Sequence, residues 1–121
     1  LPDIGLTGHG YVLDLMGESQ QLQIRTWSAQ LRMAKTIKFP WKEDTWYRMK
    51  FRIDIESEPP AAFAMLRGKV WPRDEQEPKE WSITTRDDSP NMASSPGLYG
   101  NAKVAEIYLD NIEVSANTDE P

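Results

Sequence analysis

The chain has 121 residues, 39% of them apolar, with a net charge of −5, five Trp, four Tyr and three Phe. That is one globular domain with bulk for a single core; the acidic balance argues against a nucleic-acid binder, which must neutralise phosphates. The absence of Cys excludes disulfides, zinc–thiolate sites and thiol catalysis, and a single His excludes a multi-histidine metal centre within the chain.

Leu1 to Gly10 carries three Gly and one Pro and reads as a loop. Tyr11–Leu15 reads as a short strand, Gly17–Gln20 as a turn, and Gln21–Trp27 as a second strand with Leu22, Ile24 and Thr26 on one face. A third strand is expected over roughly Arg32–Phe39, and Pro40–Asp44 forms the next turn. From Tyr47 to Ile55 every odd position is apolar and every even one charged. Strand side chains alternate between faces, so Tyr47, Met49, Phe51, Ile53 and Ile55 should be buried and Arg48, Lys50, Arg52 and Asp54 exposed. Helical spacing would leave those residues no apolar stripe. The pattern predicts an antiparallel sheet solvated on one side, and an all-β sandwich or barrel.

Pro59 and Pro60 break that strand. Ala61–Trp71 is its partner, with Ala62, Ala64, Leu66, Gly68 and Val70 on the inward face and Phe63, Met65, Arg67, Lys69 and Trp71 on the other. Pro72–Lys79 is a charged loop, Glu80–Thr85 a strand carrying Trp81, and Arg86–Pro96 a loop. Gly97–Gly100 leads into final strands at Lys103–Tyr108 and Ile112–Ser115. The domain then spans residues 1–115, with a polar tail over 116–121. No apolar run approaches the ~18 residues of a membrane span, and no signal peptide opens the chain. Leu1 in place of an initiator Met is expected of a chain processed or cut from something larger.

Five motifs in order carry a family pattern: Thr45–Arg48, Lys69–Trp71, Glu77–Trp81, Pro96–Gly100 and Tyr108–Val114. Together they resemble bacterial concanavalin A-like lectin and glucanase sandwiches, and especially the module at the C-terminus of some secreted PQQ-type β-propeller proteins. They are also similar to laminin-G-like sugar-binding or adhesion modules. The resemblance implies an antiparallel jelly roll in the periplasm, secreted, or on the bacterial cell surface. It further implies strands ahead of Leu1, so that the chain would begin inside the domain. A β-propeller in the same parent chain, or another subunit of an assembly, is the protein partner it suggests.

The glucanases of this fold set a nucleophile and a general acid on one strand as Glu-x-Asp-x-x-Glu, about 5 Å apart. The nearest run here is Glu106 to Glu113; its first spacing is four, and Glu106 and Glu113 fall on opposite faces of a regular strand. Asp110-Asn111 reads instead as hairpin-closing turn residues, so the chain is expected not to be an enzyme, a glycoside hydrolase being the weaker alternative. Trp27, Trp71 and Trp81 lie on or near polar strand faces, where aromatic rings stack on sugars and Arg25, Arg67 and Lys69 can bond hydroxyls. More often such rings cap core edges or pack under loops. Asp87–Asn91 could offer oxygens to calcium, which this fold often binds, but it matches no EF-hand loop and reads more simply as an Asx-rich turn; no other cofactor is indicated. The basic row Arg48, Lys50, Arg52 would steer an acidic partner or polysaccharide, or would merely solvate one face. The function expected is a non-catalytic extracytoplasmic binding module for glycan or a neighbouring protein surface. The alternative is a docking subunit pairing through an exposed sheet edge.

Overall fold

The computed structural model describes residues 1–26, 33–56, 62–90, 97–101 and 114. Among them the chain is all-β: β1 (Asp3–Gly8), β2 (Tyr11–Met16), β3 (Gln21–Thr26), β4 (Ala34–Lys38), β5 (Tyr47–Glu56), β6 (Phe63–Pro72), β7 (Ile83–Asp87) and β8 (Gly97–Asn101). Two antiparallel sheets form, one five-stranded in the order β4-β3-β2-β1-β8 and one three-stranded in the order β5-β6-β7. No helix among the described residues is long and apolar enough to cross a membrane. The expected final strands, Lys103–Tyr108 and Ile112–Ser115, and the tail at 116–121 lie largely or wholly outside the described residues.

The first departure from expectation is β1, in a segment expected to be a loop. Its glycines are there for close approach. A Cβ on Gly5 would collide with the Leu13 carbonyl of the neighbouring strand, so only glycine lets β1 lie so near β2. His9 and Gly10 close the hairpin with φ of 50° and 76°, the doubly positive signature of a primed turn that matches strand twist. β8, expected only as a lead-in, pairs with β1 from Thr7↔Gly97 to Asp3↔Asn101. β7 likewise runs to Asp87, beyond the expected Thr85, and leaves Trp81 in the loop before it.

The core lies between the sheets. Tyr11, Leu13, Leu15, Leu22 and Ile24 of the first sheet meet Ala64, Leu66, Val70 and Ile83 of the second. At the centre is Gly68: a Cβ there would stand 2.6 Å from Leu13 Cδ1 and 3.2 Å from Ile83 Cγ2, so the Leu13 side chain occupies the space a larger residue would need. Tyr11 also crosses the layer, its hydroxyl donating to Asp87 Oδ2 at 2.5 Å. On the far side of β2, Val12 and Asp14 are buried as well, so this strand is covered on both faces rather than solvated on one.

β5 has the expected alternation in part. Tyr47, Met49, Phe51 and Ile53 pack against the core though only half-buried, while Ile55 is 38% exposed near the strand end, against expectation. Arg48 and Lys50 are exposed, but Arg52 and Asp54 are half-buried. They fold onto their own sheet: Arg52 grips Asp54 through Nε and Nη2 at 2.7 and 3.1 Å, and Arg67 reaches the same carboxylate at 3.0 Å. One end of the sandwich is closed by Trp41, whose Nε1 donates to the Met16 carbonyl and whose ring meets Tyr47 edge-on at 5.9 Å.

Leu13→Ala should destabilise by about 2–5 kcal/mol, and Gly68→Ala by about 1–3 kcal/mol through overpacking. Because the added methyl would enter space vacated by Leu13, the double variant should cost less than the sum, by at least ~0.5 kcal/mol in urea unfolding. Additive costs would show that the two residues do not meet across the core.

Candidate functional site

The outer face of the second sheet is built by residue parity. The inward residues of β5 and β6 leave Arg48, Lys50, Arg52 and Asp54 beside Trp71, Lys69, Arg67 and Met65 on the other side, in register Arg48↔Trp71, Lys50↔Lys69, Arg52↔Arg67 and Asp54↔Met65. Two successive cross-strand pairs are therefore like-charged, an arrangement that is unfavourable unless an anion intervenes. Asp54 intervenes in the second. Glu77, from the loop after β6, intervenes in the first, with Oε2 at 3.2 Å from Lys50 Nζ and 2.7 Å from Lys69 Nζ.

Lys69 is the centre of this cluster. Only 4% exposed, it also donates to the Pro78 carbonyl at 2.7 Å, and its ammonium stands 4.6 Å from the centroid of Trp81 and 5.9 Å from that of Trp71. Lys50, with half its side chain in water, lies 5.9 Å from the same Trp81 ring. The two lysine hydrogen bonds, Lys69's first, hold the Glu77 carboxyl below its ordinary value. Two further cations cover aromatic rings: Arg86 over Phe63 at 3.9 Å and Arg73 over Trp46 at 5.6 Å.

The residues singled out from sequence divide. Lys69, Trp71 and Trp81 are brought together, and Arg67 lies one register row away on the same face, bound to Asp54. Trp71 is buried beneath this cluster at 8% exposure, while Trp81 remains half-buried. Arg25 belongs to the other sheet, where Nη1 pairs with Asp14 Oδ2 at 2.8 Å. Trp27 lies outside the described residues, as does the run 106–113. Asp87 accepts from Tyr11 and from the Ser89 amide, an Asx turn, and Asp88 is bound to Arg86 at 2.6 Å. Among the described residues no three acidic or histidine side chains converge as metal ligands.

No protein-family model, no curated protein and no solved structure matches this chain. The site is thus described by its own chemistry alone. Sequence reasoning passed over Lys50 as a partner of Lys69, and gave Glu77 a place in the Glu77–Trp81 motif but no role at this site. Strand register supplies the first of these. The second depends on how the Arg73–Glu80 loop folds back, for which composition gives no signal.

The Asp14–Arg25 pair differs in kind. Asp14 is 2% exposed, and its Oδ1 makes no hydrogen bond. Burial raises its pKa to about 6, with Arg25 opposing the shift. A folded pKa above the unfolded one means the folded state binds the proton more tightly. Stability from this group is therefore greatest below about pH 4 and falls as pH rises to about 6, by roughly 2–3 kcal/mol in all. Asp14→Asn should remove that slope: between pH 7 and pH 5 the wild type should gain thermal stability relative to the variant. Parallel melting curves across this window would contradict the assignment.

Proposed function

We propose that this chain is a non-catalytic binding module acting outside the cytoplasm, which takes glycan across the outer face of its second sheet. The observation that carries the reading is the half-buried Trp81 ring, with the Lys69 and Lys50 ammonium groups 4.6 and 5.9 Å from its centroid, at a sheet face that also carries exposed Arg48. A flat ring flanked by hydrogen-bond donors matches a pyranose, whose faces are apolar and whose rim carries hydroxyls. The extracytoplasmic setting, and a concanavalin A-like jelly roll in particular, rest on the resemblance of the five motifs. The strand order is compatible with it: β8 returns through the second sheet to lie beside β1, giving the Greek-key order β8-β1-β2-β3. The non-catalytic reading rests on the carboxylate spacing in 106–113. A neighbouring protein surface is the other occupant this face could take.

Affinity electrophoresis in gels containing soluble polysaccharides tests the proposal. The 121-residue chain should be retarded by at least one of them. A Trp81→Ala variant with unchanged circular dichroism should lose roughly two- to twelvefold in affinity, the worth of one stacked ring at ~0.5–1.5 kcal/mol. A folded Trp81→Ala chain that binds as the parent does, or a parent retarded by no glycan, would overturn it in favour of protein docking.

A further inference from the structure

The Lys50–Lys69 pair poses a question that a binding face for neutral sugar does not answer. Two ammonium groups stand directly opposite each other across the strands, and one of them is almost fully buried. Such a pair requires a carboxylate between them, and the chain supplies Glu77 from a loop. With Arg48 two residues from Lys50 on the same face, roughly 7 Å along the strand, three cations stand against one carboxylate. Arg48 makes no ion pair among the described residues.

Resting on the binding role proposed above, we infer that the space between Lys50 and Lys69 is a carboxylate-binding site, that Glu77 fills it from within, and that the ligand is a polysaccharide bearing carboxylates. Two features favour exchange over a fixed internal salt bridge. Glu77 and Lys50 are each about half in water, with side-chain exposures of 45% and 51%, so their 3.2 Å pair holds weakly and the shorter 2.7 Å contact of Glu77 with Lys69 is the one an entering carboxylate must replace. Lys69 keeps two partners when Glu77 leaves, the Pro78 carbonyl and the Trp81 ring, so the exchange does not strand a buried charge. The entering carboxylate restores the third. Its sugar ring then lies beside Trp81, and Arg48 stands one strand repeat away to meet a further acidic residue of the chain. The Glu77 side chain thus acts as an internal competitor, and affinity is set by the difference between two carboxylates at one site.

The test measures binding of polygalacturonate, of its fully methyl-esterified and therefore neutral form, and of poly-glutamate, by isothermal titration at low and physiological salt. Polygalacturonate should bind and the ester should bind at least tenfold more weakly, with affinity for the acid falling as salt rises. Glu77→Gln, which removes the competitor, should tighten polygalacturonate binding by about tenfold, the worth of one charge-assisted bond. Lys50→Gln, at a half-exposed position that leaves the fold intact, should abolish the preference for the acid over the ester. It decides the matter if Glu77→Gln proves unstable. Equal binding of acid and ester, or a Lys50→Gln variant that keeps the preference, overturns this inference and leaves the glycan reading standing. Binding to poly-glutamate as tight as to polygalacturonate overturns the polysaccharide assignment. Binding to no glycan of either charge removes both readings together.

Discussion

The contact of Leu13 with Gly68 governs the architecture. With no side chain on β6 at that point, β2 can seat a leucine between the sheets, and the two layers settle around it. From this contact the parity of every neighbouring residue follows. If Gly68 faces inward, so do Leu66 and Val70, and Lys69, Arg67 and Trp71 must face out. The β5–β6 register then sets Lys50 against Lys69 and Arg48 against Trp71. A cluster of charge on the surface is thus fixed by a packing choice in the core.

How much of this was legible in the sequence depends on the range of the interaction. Alternation along Tyr47–Ile55 gives β5 and its faces, because period-two patterning is local. Of the expected inward set, Ala64, Leu66, Gly68 and Val70 are buried, while Ala62 is exposed, just ahead of the strand, which begins at Phe63. β1 escaped because its glycines resemble loop composition, while their use is to let two backbones approach. The His9-Gly10 turn, with Ile4 and Leu6 before it and Tyr11–Leu13 after it, was the available signal. Arg52 and Asp54 defeated the simple rule of charge outside because they neutralise one another two residues apart on one face. Ile55 defeated the converse rule, standing near the end of its strand where less packs against it.

The candidate site was legible as a list of residue types but less so as an arrangement. Lys69, Trp71 and Trp81 are brought together from positions on either side of one loop, although Lys69 and Trp71 turn out to be buried. Their donors and faces are largely used within the protein, so the groups offered outward are those of Lys50, Arg48 and the half-buried Trp81. Glu77 is the missing element. No periodicity marks a loop carboxylate that returns to the sheet it has just left, and only the need to neutralise opposed lysines explains its place. Arg25, chosen for the same chemistry, belongs instead to a buried pair with Asp14 on the other sheet.

In the proposed function, ligand binds the outer face of the second sheet at the lysine pair. Amide and indole NMR shifts recorded during titration with polygalacturonate test it most directly. The largest changes should cluster at Lys50, Lys69, Glu77 and the Trp81 indole, with Gln23 and Arg25 of the first sheet unmoved. Changes centred on the first sheet, or spread evenly over the surface, would contradict it.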